Sequence, residues 1–271
     1  HWSYDLTNRK AKHMPFKKVQ PEKLSTSVVR QIEKLILRGI LRAGERLPAE
    51  RELAERLGVS RPSLRDAVSE LQDRGLLTSR AGSGIFVADV LGSAFSPALT
   101  SLFATHDEAV FDYIAFRRDL ESLAAMRAAR LASDTDLAVV QAIFDKMVLA
   151  HSKKESEDEA RLDAQFHMSI IEASHNVVML HMMRSMYELL KGGVFYNRQV
   201  MFAQRTTRDM LLDQHRAIND ALQFRDPDAA RAAVEAHLNF VEAALNDQRK
   251  AQEHEKIAQQ RLEHETGQVQ S

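Results

Sequence analysis

The stretch from Gly44 to Val87, GERLPAERELAERLGVSRPSLRDAVSELQDRGLLTSRAGSGIFV, restricts the fold of this chain more than any other segment. It sets two short helical patterns, a tight turn and a glycine-tipped hairpin in a fixed order. Pro48 is tolerated in a first helical turn, and Ala49 to Leu57 follows with Leu53, Ala54 and Leu57 on one apolar stripe. Gly58 ends that helix, Val59 plugs the turn, and Ser60 is a good N-cap for a second helix with Pro62 in its first turn. This second helix runs to about Arg74, with Leu64, Ala67, Val68 and Leu71 at helical spacing. Beyond Gly75, the alternating run LLTSRAGSGIFV is broken by AGSG, as a two-stranded wing requires.

A winged helix-turn-helix places the start of its second helix in the major groove of DNA. The pattern leaves Ser60, Arg61, Ser63 and Arg65 at that exposed end. Arg61 and Arg65 can offer bidentate forks to guanine edges, while the Ser60 and Ser63 hydroxyls and the helix N-terminal amides suit phosphate oxygens. Arg80 falls at the wing base, and the small tip from Gly82 to Gly84 lets backbone approach the minor groove. The plainer alternative is a charged amphipathic helix pair with no ligand. Against it stands the ordered succession of helix, Gly-Val-Ser turn, capped helix and wing.

The string LPAERELAERLGVSRPSLRDAVSELQDRGLL resembles the DNA-binding head of the GntR superfamily of bacterial transcription regulators, in its FadR-like branch. The resemblance covers about residues 22 to 87. It implies that Arg51 in the first helix of the motif, Arg61 and Arg65 in the recognition helix, and Gly82 in the wing fall on DNA-contacting positions.

Charge is distributed to match. The 271 residues carry a net charge of -1, but Met14 to Ala88 hold 14 Lys and Arg against 9 Asp and Glu. A basic head therefore precedes an acidic body, an arrangement that keeps the body off phosphate. Cysteine is absent, so no disulfide framework exists. With no apolar run of spanning length and no signal-peptide pattern, a cytoplasmic chain with no membrane partner is expected. Residues 1–13, HWSYDLTNRKAKH, show no hydrophobic pattern before Met14, a plausible native start, and are set aside as either a non-native remnant or a flexible leader.

The chain is long enough for two cores. The expected organisation is a winged helix-turn-helix over 14–88, a linker over 89–105 rich in Gly, Ser and Pro, a helical domain over 106–250 and a polar tail over 251–271 that frays. Apolar spacing marks helices near 107–131, 134–151, 156–174, 177–202, 204–224 and 227–248. Ser133 with Asp136 reads as a capping box, and Asp226-Pro227 as a cap with a first-turn proline. The fold class is mainly α, with a C-terminal antiparallel bundle of six or seven helices.

Chemistry in this bundle is best sought among its histidines. Asp163 and His167 lie four apart in ARLDAQFHMSII and project from one helical face. His215, in LLDQHRAINDALQF, and His237, in AARAAVEAHLNFVEAAL, can be set side by side if the turn at Asp226-Pro227 joins antiparallel helices. Three imidazoles and one carboxylate suit Zn, Ni, Mn or Fe as divalent ions, zinc first. The spacing alone is a weak signal. However, the C-terminal part resembles the FCD effector domain that accompanies FadR-like heads, whose metal-binding members use an Asp and a His one turn apart and two later His. Asp163, His167, His215 and His237 each match that set.

The motif FRRDLES at Phe116 to Ser122 resembles the R-x-x-L-E signature that opens this domain, placing Arg117 and Glu121 on its arginine and acidic positions. Arg117 could grip the far end of a small carboxylate effector with its planar fork; alternatively, it pairs with Glu121 across one turn. Met179, Met182, Met183 and Met186 make a helical stripe best read as core or dimer surface, and His151, His175 and His181 lack partners at useful spacing. The segment EASHNVVMLHMMRSM resembles regulators of pyruvate, lactate and glycolate metabolism. Together these features lead us to expect a homodimeric repressor, not an enzyme. It would bind double-stranded operator DNA and answer a small 2-hydroxy or 2-oxo acid held at a metal site. A sensor in which the ion is itself the signal, and a metalloenzyme, are the alternatives. For the enzyme, no motif such as H-E-x-x-H supplies a general base.

Overall fold

The computed structural model describes residues 23–89, 96–106, 108–191 and 205–268. The leader read at 1–13, residues 90–95 of the expected linker, and the end of the helix expected to reach 202 lie outside them. The chain divides into two compact units between residues 90 and 91.

The first unit contains α1 (Leu24–Leu37), α2 (Glu50–Leu57), α3 (Arg61–Asp73), β1 (Leu77–Arg80) and β2 (Gly84–Val87). Ser60 caps α3, its side chain accepting from the Ser63 amide, and Gly58 closes α2 in the left-handed conformation at φ 66°. Pro48 is not in the first turn of α2, since Ala49 is the N-cap. The wing strands pair antiparallel from Leu77 opposite Val87 to Arg80 opposite Gly84. Backbone bonds from Leu47 N to Ile85 O and from Val87 N to Glu45 O lay the segment before α2 along the outer strand. The motif reading passed over α1. Val28, Val29, Ile32 and Ile36 on its inner face share a core with Leu64, Ala67 and Leu71 of α3, so α1 floors the helix-turn-helix. Each such apolar side chain contributes about 1.5–3 kcal/mol on burial.

Seven described helices make up the second unit: α4 (Pro97–Thr105), α5 (Glu108–Leu131), α6 (Asp134–Lys153), α7 (Ser156–Ala173), α8 (Val177–Lys191), α9 (Arg205–Gln223) and α10 (Pro227–Gln268). Two to three residues separate α5 from α6, α6 from α7, α7 from α8 and α9 from α10, and α10 lies along both α5 and α9. Part of the expected linker is helical: Ser96 caps α4 by accepting from Leu99 N, with a proline at its start. The polar stretch from 251 does not fray where expected but continues α10 to Gln268, exposed on all sides. At the turns closing α6, α7 and α9 no glycine is present, and Lys154, His175 and Arg225 take positive φ.

Two apolar clusters fill this unit. One gathers Ala125, Phe144, Phe166, Ile218 and Leu238, and the other Tyr113, Ile171, Met183, Leu211 and Leu245. Met179, Met183 and Met186 are buried in the second, as the core reading of the methionine stripe requires, whereas Met182 is 48% exposed.

The capping box at α6 forms in full. Asp136 accepts from the Ser133 amide at 2.8 Å, and Ser133 Oγ accepts from Asp136 N at 3.1 Å. Burial pushes the Asp136 carboxyl up, but the bonds from Ser133 and from His175 outweigh it and hold it below its ordinary value. Asp136→Ala is therefore expected to cost about 1 kcal/mol at neutral pH. A depressed carboxyl stabilises above its unfolded value and loses that contribution as pH falls through the folded one. Thermal melts of wild type and variant should thus begin to draw together only as pH falls below about 4; a gap that stays constant as acid is added would contradict the ionised cap.

Candidate metal centre and nucleic-acid interface

The second unit brings four of the predicted residues together at its centre. Asp163 and His167 stand one turn apart on α7, α9 supplies His215 and α10 supplies His237. They are buried, and one ligand atom from each lies within 4.8 Å of the others. His215 Nε2 is 3.0 Å from Asp163 Oδ1 and 3.2 Å from His167 Nε2, and His167 Nε2 is 3.7 Å from the same Oδ1. Donors held about 2.0–2.2 Å from a single ion sit roughly 3.0–3.5 Å apart when adjacent, so these edges are close to those of a coordination polyhedron. The Phe166 ring meets the His215 ring edge-on at 5.3 Å and walls the cluster with hydrocarbon.

The outer ring nitrogens fix the tautomers. His167 Nδ1 donates to Glu121 Oε2 at 2.8 Å, and His237 Nδ1 donates to Gln214 Oε1 at 3.0 Å, which leaves each Nε2 lone pair for the cluster. His215 Nδ1 is buried and has no hydrogen-bond partner among the described residues. Burial lowers the His167 imidazolium below its ordinary value despite Glu121 and Asp163, and lowers His237 far below, reinforced by His215 and His167. His167 and His237, biased towards the neutral form and turned inward beside one carboxylate, fit a divalent cation, because a neutral imidazole ligates without releasing a proton.

Behind this cluster lies a buried ion pair. Arg117 Nε donates to Glu121 Oε1 at 2.6 Å, and Arg117 Nη2 reaches Glu121 Oε2 at 3.3 Å and the Tyr187 hydroxyl at 3.2 Å. Tyr187 in turn donates to Glu121 Oε1 at 3.0 Å. Burial pushes the Glu121 carboxyl up, but the Arg117 guanidinium and His167 together pull it well below the carboxylate range. The pairing across one turn foreseen as the alternative for Arg117 is thus formed, and Glu121 bonds both Arg117 and His167. Tyr187 and Gln214 had no place in the sequence reading, since their partners lie on other helices or a turn away on a different chain segment. His151 and His175 stand apart from this group and make ion-pair contacts instead: His151 lies 3.1 Å from Asp209 and His175 lies 2.9 Å from Asp136.

In the first unit Arg61 and Arg65 stand one turn apart at the start of α3, with side chains 56% and 64% exposed. Both converge on Glu50, the first residue of α2, through Nε to Oε1 distances of 2.9 and 3.0 Å. Those two bonds hold the Glu50 carboxyl below its ordinary value. Ser60 and Ser63 hydroxyls lie 2.9 Å apart at the helix end. Arg51 is exposed on α2, 4.0 Å from Glu55. At the wing, the Arg80 guanidinium lies 4.3 Å above the Phe86 ring, and Gly82 turns the tip at φ 69°. The predicted residues of the head thus share one small unit, with α3 offering two exposed forks.

Comparison with known proteins agrees with both halves. Residues 24–87 match the family described as bacterial regulatory proteins, gntR family, and residues 112–240 match the FCD domain. The chain is 36% identical over 231 residues to the "Putative L-lactate dehydrogenase operon regulatory protein" of Escherichia coli (strain K12), covering 84% of this chain and 88% of that one. It is 33% identical over 224 residues to the "Glc operon transcriptional activator" of the same organism, covering 81% and 88%. Among solved structures, Streptococcus agalactiae GntR shares the fold at 24% identity with a TM-score of 0.50, over 81% of this chain and 99% of that one. No described helix is long and apolar enough to cross a membrane. The chain belongs to the gntR family of bacterial regulatory proteins, in the FadR-like branch that carries an FCD domain.

Proposed function

We propose that this chain is a homodimeric, effector-controlled transcription regulator of carboxylate metabolism, acting as a repressor on a pseudo-palindromic operator. The observation that carries the effector half is the buried convergence of Asp163, His167, His215 and His237. These four residues would hold a divalent cation, zinc first. When bound, such an ion supplies a Lewis-acid position for a carboxylate oxygen and an adjacent hydroxyl or keto oxygen. Relatives named for L-lactate dehydrogenase and Glc operons support a small 2-hydroxy or 2-oxo acid as the effector. Arg117, held by Glu121 and Tyr187 behind the cluster, would meet the acid's second end. In the head, Arg61, Arg65, Ser60 and Ser63 would enter the major groove, Arg51 would meet the backbone, and Arg80 and Gly82 would place the wing. The acid can change DNA affinity only by binding the two arrangements of the dimer unequally, with coupling of about 1–3 kcal/mol.

Thermal unfolding against pyruvate, lactate, glycolate, gluconate and an acyl-CoA, before and after metal stripping, tests this. One small acid should raise the transition, and stripping should abolish the shift, because a ligand of the folded state stabilises by mass action. A shift that survives stripping would place the effector elsewhere. A response to metal alone on operator DNA would instead make the ion the signal.

A further inference from the structure

We infer that Glu50 is a positioning residue for base readout, a carboxylate on α2 that holds Arg61 and Arg65 of α3 as a paired fork. The inference rests on the DNA-binding reading of α3. Both arginines reach the same oxygen of Glu50, and both do so through Nε. Guanine is read at O6 and N7 by two guanidinium N–H groups. With Nε already engaged, the two terminal amino groups of each side chain remain to meet a base edge, and rotation about the last side-chain bonds is restricted.

Three further features make this more than a surface ion pair. Glu50 is the better buried partner, with a side chain 28% exposed against 56% and 64% for the arginines. It also stands at the first position of its helix, where unpaired amides favour a negative charge. And it comes from the other helix of the motif, so the two readers are tied to the positioning helix as well as to their own. A free arginine must be ordered when it binds, and two such side chains ordered beforehand remove that cost from the specific complex. At a nonspecific site, where phosphate alone is met, a carboxylate between two arginines weakens attraction to the backbone. Glu50 therefore raises the ratio of specific to nonspecific affinity from both ends.

The test uses the full-length chain. A duplex is first selected by wild type from a random-sequence pool, and binding to it is compared with a shuffled duplex for wild type, Glu50→Gln and Glu50→Ala. Circular dichroism confirms folding of each. The expected result is a fall of about tenfold or more in the affinity ratio for Glu50→Ala, a smaller fall for Glu50→Gln, and nonspecific binding equal to or tighter than wild type. The salt slope on the shuffled duplex should be as steep as in wild type or steeper, since no phosphate contact is removed and the two arginines lose a competing carboxylate. An unchanged ratio in both variants overturns the positioning role, and so does tighter binding of both duplexes by one factor, which would make Glu50 a simple electrostatic brake. If wild type enriches no sequence, the DNA-binding reading falls and this inference with it.

Discussion

Arg117→Met is expected to destabilise the helical unit by about 3–5 kcal/mol, because it leaves a buried carboxylate without its countercharge. Glu121 is 2% exposed and, among the described residues, keeps His167 and the Tyr187 hydroxyl as partners once the guanidinium is gone. Denaturant unfolding at neutral pH should show the loss. The gap to wild type should narrow on acidification, since the stranded carboxyl can then take up a proton while the paired one resists it. Arg117→Met combined with Glu121→Leu should recover most of the stability, as removing both charges often does. Arg117→Lys should recover only part, for an ammonium cannot fork across both carboxylate oxygens and reach Tyr187 as well. If the single methionine variant unfolds like wild type, the buried pair carries no such energy and Glu121 is neutralised by other means.

Zinc should stabilise the wild-type chain and fail to stabilise His215→Ala. A ligand of the folded state at a thousandfold excess over its dissociation constant adds about 4 kcal/mol, and loss of a donor from the middle of the cluster should abolish this. His215 is chosen because its Nε2 is within 3.2 Å of two other donors. Glu121→Gln should lie between, with the metal affinity of the folded protein reduced roughly 10–100-fold, because it leaves all four donors in place and weakens the partner of His167, while the loss of Arg117's countercharge shows separately as a lower melting temperature without metal. Titration calorimetry and melting curves of metal-stripped protein give both quantities. Equal zinc stabilisation of His215→Ala and wild type would overturn the four-residue centre.

The parts of this protein legible in the sequence are those whose signal is local. Ser60 with Pro62, Ser133 with Asp136 and Asp226 with Pro227 announce helix starts within three or four residues, and the structure has helices starting at each. The same grammar was available at Ser96-Pro97, but the surrounding Gly and Ser outweighed it and α4 was read as linker. Helix α1 lacks any such capping motif and precedes the Gly44–Val87 pattern, so although Val28, Val29, Ile32 and Ile36 fall at helical spacing, its place beneath α3 shows only in the packing. The run of α10 past residue 250 misled for the opposite reason. Its polar residues have no core to face, yet Glu255 and Gln259 are helix formers that bond one turn apart. In the metal centre, the four donors were nameable because family resemblance joined segments that spacing could not. Their supports were not. Glu121 turning to His167, Gln214 to His237 and Tyr187 to Arg117 depend on how α5, α7, α8, α9 and α10 pack. By contrast, the sharing of Glu50 by Arg61 and Arg65 crosses the Gly58 turn, and periodicity on either helix alone could not reveal it.

Asp163 and His237 lie some distance apart along the chain, about seventy residues, with α8 and α9 between them. A cation held by both would act as a reversible cross-link, and the entropy removed from the unfolded chain grows with the logarithm of the loop it closes. Chelation would cut that link. The unfolded fraction of a marginally stable protein is what proteases remove, so a change of 1–2 kcal/mol is enough to alter abundance several-fold. The copy number of this regulator in the cell would then follow the supply of the metal, independently of any acid that binds beside it.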